Sequence, residues 1–206
     1  MSPLQAERPK NVLPDAQATS EGAEESHVPT DAADIGDDAA RAAWADAARE
    51  VLVETAQKYH AVITHKELAA EVMSRSHIHT GRPMHYWIGD VLGRVAATCA
   101  HRDEPMLSAL CVNAEGSVGK SYEPAVVAAR GDLTGDADDH AARERLECHR
   151  AFGAQLPKGG GVRALTPRLS AARSRLRRAR AAEKMPALCP TCHTAVPSTG
   201  VCDYCS

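Results

Sequence analysis

The chain has 206 residues, a formal net charge of −3 at pH 7 and only 3% aromatic residues. No run of about 18 apolar residues occurs in it, so no segment is expected to cross a bilayer. Its polar, Pro-interrupted N-terminus lacks the pattern of a signal peptide, and we therefore expect a cytoplasmic protein. Seven cysteines, four of them in two Cys-x-x-Cys pairs, favour metal binding in a reducing compartment over a disulfide framework.

Charge is distributed unevenly along the chain. Residues 1–40 contain nine acidic and two basic side chains, whereas the remaining 166 residues contain 18 acidic and 22 basic ones. The first 39 residues also have too few large apolar groups to offset the entropy that ordering would cost. A disordered acidic tail is therefore predicted over residues 1–39, followed by a mildly basic folded part.

Three helices are predicted after this tail. The first is alanine-rich and runs from Ala40 to His60, with Trp44 on its apolar side. The second begins at a capping box, in which Thr64 precedes Glu67 by three residues and an apolar run follows. The third begins near Pro83 and carries one apolar stripe, formed by Met84, Trp87, Ile88, Val91, Leu92 and Val95.

A β-hairpin is predicted after the third helix. Residues 106–112 are short and apolar, residues 113–116 have turn composition, and residues 117–122 supply the return strand. Helices followed by a hairpin are the order of a winged helix, which is predicted for residues 40–127. Such a unit docks a helix in a DNA groove and rests the hairpin on the phosphates. The same order also occurs in packing modules of enzymes and in protein-binding domains.

Three motifs in this unit carry a family resemblance: ITHKELA at 63–69, IGDVLGRVA at 88–96 and NAEGSVGKSY at 113–122. Residues 62–122 resemble the C-terminal domain of the DNA alkyltransferases and alkyltransferase-like proteins. The resemblance implies a winged helix that binds DNA in the minor groove and flips a base towards a reactive cysteine. This sequence has no Pro-Cys-His-Arg before the predicted hairpin, and Cys111 occupies a hydrophobic position of the family. The resemblance therefore implies the shape and DNA contact without alkyl transfer.

Two further helical segments follow. A connector is predicted over residues 128–162, with a helix from Asp139 to Phe152. Cys148 and His149 on it diverge by about 100°, which favours packing over a nucleophile–base pair. A basic helix is predicted over residues 163–185, with Thr166 as cap and Pro167 at its first position. Eight basic residues and one acidic residue lie between Arg163 and Lys184, so its candidate partners are nucleic acid, an acidic protein surface or the acidic tail.

The last 21 residues, 186–206, contain the clearest chemical motif. Two Cys-x-x-Cys pairs are separated by nine residues, and the four predicted metal ligands are Cys189, Cys192, Cys202 and Cys205. The segment resembles short zinc ribbons, although His193 and Ser206 stand where a glycine commonly follows each pair. Four thiolates without an open position predict a structural Zn²⁺ site, whose folding and metal binding are one event. His193 as a competing ligand and a redox dithiol are the alternatives.

The sequence thus predicts an α+β fold: a winged-helix-like domain, a helical connector, a basic helix and a zinc ribbon. The leading function is non-catalytic DNA binding with a regulatory or genome-maintenance role. The expected DNA contacts are Arg82, His85, Tyr86, Arg94 and Lys120 in the winged-helix unit and Arg173, Arg175, Arg177, Arg178 and Arg180 in the basic helix. The alternative is a protein-interaction adaptor, of the kind that phages and mobile elements encode, which engages a host complex through the zinc ribbon and the basic helix. No motif predicts a catalytic site or a small-molecule substrate.

Overall fold

The computed structural model describes residues 29–184, 188–197 and 200–205. The described chain is mostly helical, with two pairs of short parallel strands. The helices are α1 Ala32–Ile35, α2 Asp37–Ala56, α3 His65–Ser76, α4 Ile88–His101, α5 Tyr122–Arg130, α6 Ala137–Ala151 and α7 Pro167–Lys184; the strands are β1 Thr30–Asp31, β2 Ile63–Thr64, β3 Ile78–His79 and β4 Cys111–Val112; 3-10 helices span Met84–Tyr86 and Leu107–Leu110. Among these described helices, none combines the length and apolarity needed to span a membrane.

The fold begins earlier than the sequence predicts. Thr30 and Asp31 pair in parallel with Ile78 and His79, and the Asp31 carboxylate accepts a hydrogen bond from the Ala33 N–H at 2.9 Å, which caps α1. Residues 29–39 are therefore not part of a disordered tail, because local capping and strand pairing order a segment that is poor in large apolar groups. The rest of the predicted tail, residues 1–28, lies outside the described residues.

Helices α2, α3 and α4 form the centre of the hydrophobic core. The Trp44 and Trp87 rings lie 4.5 Å apart between centroids, and the Trp44 indole N–H donates to the Ile78 carbonyl at 3.0 Å. The part of the predicted apolar stripe that lies within α4 is buried, namely Ile88, Val91, Leu92 and Val95. The helix begins later than predicted, at Ile88, because residues 84–86 form a 3-10 turn first.

The described structure has no β-hairpin after α4, and this part of the prediction is wrong. Strand β4 pairs in parallel with β2, so Cys111 lies opposite Ile63 and Val112 opposite Thr64. The Asn113 carboxamide oxygen accepts the N–H groups of Glu115 and Ser117, each at 3.0 Å, and an Asp138 carboxylate oxygen accepts the Val118 N–H at 2.9 Å. Side chains therefore take the donors that a partner strand would need.

The core continues beyond β4 into α5 and α6. Val126 of α5 and Ala141 and Cys148 of α6 are fully buried in the same cluster as α2 to α4. The predicted boundary between residues 127 and 128 falls within α5. Burial raises the pKa of the Cys148 thiol well above its usual range, which agrees with the packing interpretation of this residue.

Replacing Thr64 with alanine is expected to lower the free energy of unfolding by about 1 kcal/mol. The Thr64 hydroxyl accepts the Glu67 N–H at 3.2 Å, and the Glu67 carboxylate accepts the Thr64 N–H at 2.8 Å, which is the complete capping box. Urea unfolding measures the change. Thr134→Ala, in the exposed segment between α5 and α6, is the control, and an equal loss in both variants would contradict the assignment.

Stability is also expected to fall as the solution becomes acidic. His149 is 2% exposed, and burial lowers its pKa below the usual 6.5. The unfolded chain then binds a proton more readily, so the free energy of unfolding is retained above pH 6.5 and decreases below it, by at most about 1.4 kcal/mol per pH unit. His65 and His140 act in the same direction, because burial lowers the pKa of each.

Urea unfolding of His149→Asn between pH 5 and 7 tests this contribution. The asparagine amide keeps a donor for the Ala56 carbonyl, which lies 2.8 Å from His149 Nδ1. The pH dependence should become shallower in this variant and stay unchanged in His101→Asn, whose side chain is exposed. An unchanged slope in both variants would refute the prediction.

Candidate metal centre and basic surfaces

The four predicted metal ligands converge at the C-terminus. The sulfur atoms of Cys189, Cys192, Cys202 and Cys205 all lie within 4.8 Å of one another. The first knuckle is closed by backbone bonds, in which the Cys189 N–H donates to Thr194 O at 2.8 Å and the His193 N–H donates to Cys189 O at 2.9 Å. A bridge between Leu188 and Ala195 continues this turn.

The spacing of the sulfurs fits a tetrahedral metal ion. Four thiolates at about 2.3 Å from a metal lie roughly 3.8 Å apart, and the Cys192 and Cys202 sulfurs are 3.5 Å apart. All seven cysteines are free thiols. The cluster is therefore a possible metal site that can be closed by four sulfur ligands.

Neighbouring hydrogen-bond donors lower the pKa values of two of these thiols. The Thr194 hydroxyl lies 2.7 Å from the Cys192 sulfur and lowers the pKa of that thiol to about 6. The Tyr204 backbone N–H lowers the pKa of Cys202, whereas the nearby Cys192 sulfur raises the pKa of Cys205 to about 11. The charge of a bound metal ion would favour the thiolate form of Cys205 as well.

His193 has a conformational role at this site. Its φ angle is 57°, in the left-handed region where glycine is favoured. His193 therefore adopts the left-handed backbone conformation that a glycine commonly supplies at this position of a zinc ribbon. The converging ligand group comprises the four cysteines without His193.

The α4 surface that was predicted to contact DNA is occupied by acidic side chains of α2. Arg82 forms an ion pair with Asp37, and Arg94 forms one with Asp38. Arg94 also lies 3.4 Å from Asp90 within its own helix. Asp37 and Asp38 are the first two residues of α2, so the two arginines of this face are paired within the protein.

The other predicted contacts in this part of the chain are scattered. The His85 and Tyr86 rings lie 4.1 Å apart between centroids in the 3-10 turn before α4, and Tyr86 is 68% exposed. Lys120 is exposed in the turn before α5, where the sequence had predicted a wing.

Among the described side chains, those that anchor helix α7 to the core belong to its first part. The buried Thr166 hydroxyl donates to the Gly116 carbonyl at 2.7 Å, and the Arg168 guanidinium donates to the Ala114 carbonyl at 2.7 Å. Arg173 forms ion pairs with Asp136 and, at 2.9 Å, with Asp139. From Arg175 to Ala182 every residue is exposed, so this half of the helix projects from the core.

Four of the predicted DNA contacts lie on the projecting half. Arg175, Arg177, Arg178 and Arg180 form no ion pair with any side chain that the structure describes. At about 100° per residue, Arg175 and Arg178 lie on one side of the helix and Arg177 and Arg180 on roughly the opposite side. Ala172, Leu176 and Ala179 lie between these two rows, and Leu176 is 53% exposed.

Comparison with known proteins gives no relative: no protein-family model, no curated protein and no solved structure matches the chain.

The protein is expected to carry one metal ion per chain at the four cysteines. Inductively coupled plasma mass spectrometry of the purified protein measures the stoichiometry. Replacing both Cys192 and Cys202 with serine removes two thiolates and should abolish stoichiometric metal. Cys99→Ala, which removes a buried thiol outside the cluster, is the control. Metal retained by the double variant would refute the site.

Proposed function

We propose that the protein binds double-stranded DNA without catalysis and that the projecting half of α7 is its main contact. The observation that carries the proposal is the group of four exposed arginines without an acidic partner among the described side chains. Several arginines elsewhere form ion pairs with acidic side chains, among them Arg82, Arg94 and Arg173. Unpaired guanidinium groups are well suited to phosphate oxygens, because their planar fork matches an oxyanion.

The distribution of these arginines favours a duplex groove. A helix with its side chains is about 10–12 Å across, and the major groove of B-DNA is about 12 Å wide. Two rows of arginine on opposite sides of one helix can reach the phosphates on both edges of such a groove. The small apolar stripe of Ala172, Leu176 and Ala179 would then face the base edges, where thymine methyl groups accept apolar contacts.

Duplex RNA fits this helix less well. The major groove of A-form RNA is deep and narrow and cannot be read by side chains. Duplex DNA is therefore the preferred nucleic acid in this proposal. The α4 face contributes less than the sequence predicts, since Asp37 and Asp38 already neutralise Arg82 and Arg94.

The metal in the C-terminal cluster is proposed to be Zn²⁺ with a structural role. Four thiolates form a closed tetrahedral set, which is the ligand type of structural zinc sites. In this role the metal folds the segment that follows α7.

A second candidate function is binding to a protein through the metal cluster. Three apolar side chains around the cysteines are exposed: Leu188 at 57%, Val201 at 55% and Tyr204 at 81%. Exposed aromatic and aliphatic groups on a metal-stabilised turn can serve as anchors at an interface. Such binding would depend only weakly on salt, whereas phosphate binding depends on it steeply.

Replacing Arg175, Arg177, Arg178 and Arg180 with glutamine is expected to weaken DNA binding severely. Fluorescence anisotropy of a labelled duplex across a salt series measures the logarithmic dependence of affinity on salt. Its slope should decrease in magnitude by about 3 to 4, since each phosphate contact contributes about 0.9. Glutamine retains good helix propensity, so circular dichroism should show no loss of helix.

The matched control replaces Arg82 and Arg94 with glutamine. Those arginines are paired internally, so the slope should change by less than about 1. Duplex RNA of the same sequence should bind more weakly than duplex DNA. A quadruple variant that binds as tightly as the native protein, or a native protein that does not bind DNA at low salt, would overturn the proposal.

A further inference from the structure

A cavity of about 260 Å³ lies between α6, the turn at Tyr59–His60 and the segment of residues 162–167. Its walls combine apolar side chains with a small number of polar groups. The apolar part is contributed by Val62, Leu146, Val162 and Leu165, and the polar part by His60, Arg145, His149 and Thr166. A mostly apolar cavity with a few converging polar groups is the usual form of a small-ligand site.

Arg145 is the most unusual group in this cavity. It is 5% exposed, and its guanidinium donates to the Ala109 carbonyl at 3.0 Å and to the Ala164 carbonyl at 3.2 Å. A guanidinium has five N–H donors, and no carboxylate of the described residues forms an ion pair with this one. An unpaired buried charge is costly, so an anion bound beside Arg145 would compensate its positive charge.

His149 supplies a complementary group. Its Nδ1 lies 2.8 Å from the Ala56 carbonyl, which can only accept, so Nδ1 carries the proton. Burial lowers the pKa of this residue, and the neutral ring keeps Nε2 as an acceptor. The cavity therefore combines a cationic donor with a neutral acceptor.

The cavity walls are fixed by interactions that need no ligand. The Tyr59 hydroxyl accepts the Val162 N–H at 2.8 Å, and the Arg150 guanidinium donates to the Gly160 carbonyl at 3.1 Å. Nearby carboxylates are already engaged: Glu147 pairs with Arg150 and Asp139 with Arg173. Asp138, whose charge acts on Arg145 without forming an ion pair with it, accepts the Val118 N–H. The side chains of Arg143 and Arg163 line an adjoining depression and add positive charge.

We propose that this cavity binds a small organic anion, with its oxyanion at Arg145 and a compact apolar body against Val162 and Leu165, while His149 can accept a hydrogen bond from any hydroxyl or amine that the ligand carries. A volume of about 260 Å³ lies just below the usual range of ligand pockets, so the ligand is small. The shared chemistry is an oxyanion, which a carboxylate or a phosphate ester can provide. This site is separate from the arginines of α7 and does not rest on DNA binding.

The test uses the full-length, metal-loaded protein with benzoate and phenyl phosphate as probes and benzyl alcohol as the neutral control. Calorimetry measures affinity, and ¹⁵N NMR of labelled histidine side chains reports on His149. At least one anion should bind saturably with a Kd on the order of 1 mM or tighter. Benzyl alcohol should bind at least about tenfold more weakly. The stronger anion decides between carboxylate and phosphate.

Two variants locate the binding. Val162→Trp should block it, because Val162 lines the cavity and is 68% exposed at its mouth. Val127→Trp, on α5, is the matched control and should leave it unchanged. Arg145→Lys should weaken it by at least about tenfold. If that variant does not fold, Val162→Trp still decides. The proposal would be overturned if neither anion binds saturably. It would also be overturned if Val162→Trp leaves the binding intact.

Discussion

The position of α7 depends on the buried guanidinium of Arg145. This side chain projects from α6 and donates one hydrogen bond to Ala109, in the 3-10 helix that precedes β4, and another to Ala164, just before α7. It therefore links three segments that are far apart in sequence. Thr166 adds a second connection, to the Gly116 carbonyl. Gly116 has a φ of 84°, and a Cβ there would lie 2.2 Å from the Thr166 hydroxyl. Together with the contacts of Arg168 and Arg173, these two residues hold the start of the basic helix against the core.

Acidic residues distinguish two kinds of arginine in this protein. Aspartates at the start of α2 and α6 engage Arg82, Arg94 and Arg173. Acidic side chains also favour these positions because the N-terminal end of a helix carries partial positive charge. The same carboxylates therefore stabilise a helix start and neutralise an arginine from elsewhere. The arginines beyond Ser174 on α7 lie outside the reach of those aspartates.

Features that depend on neighbouring residues could be predicted from the sequence. The capping box of Thr64 and Glu67, the apolar stripe of α4 and the convergence of the four cysteines follow from spacings of a few residues. Features that depend on distant partners could not. In place of the expected hairpin, the Val118 N–H donates to the side chain of Asp138, which lies 20 residues further along the chain. The cavity was missed for the same reason, since Arg145 and His149 bond to Ala109 and Ala56. The sequence singles out His149 only as the neighbour of Cys148, and that adjacency does not indicate a cavity.

Every residue from Arg175 to Ala182 is exposed, so this described part of α7 has no packed face, and this affects its thermodynamics. An unpacked helix of about ten residues is only marginally stable in water, and the pairs Arg175–Arg178 and Arg177–Arg180 place like charges three residues apart, where they repel. The anchored first turns nucleate this helix, but its far end remains close to the helix–coil transition. A polyanion that neutralises the arginines removes the repulsion and lengthens the ordered helix. Association would then include a folding step, with an enthalpy and an ordering entropy larger than rigid docking would produce.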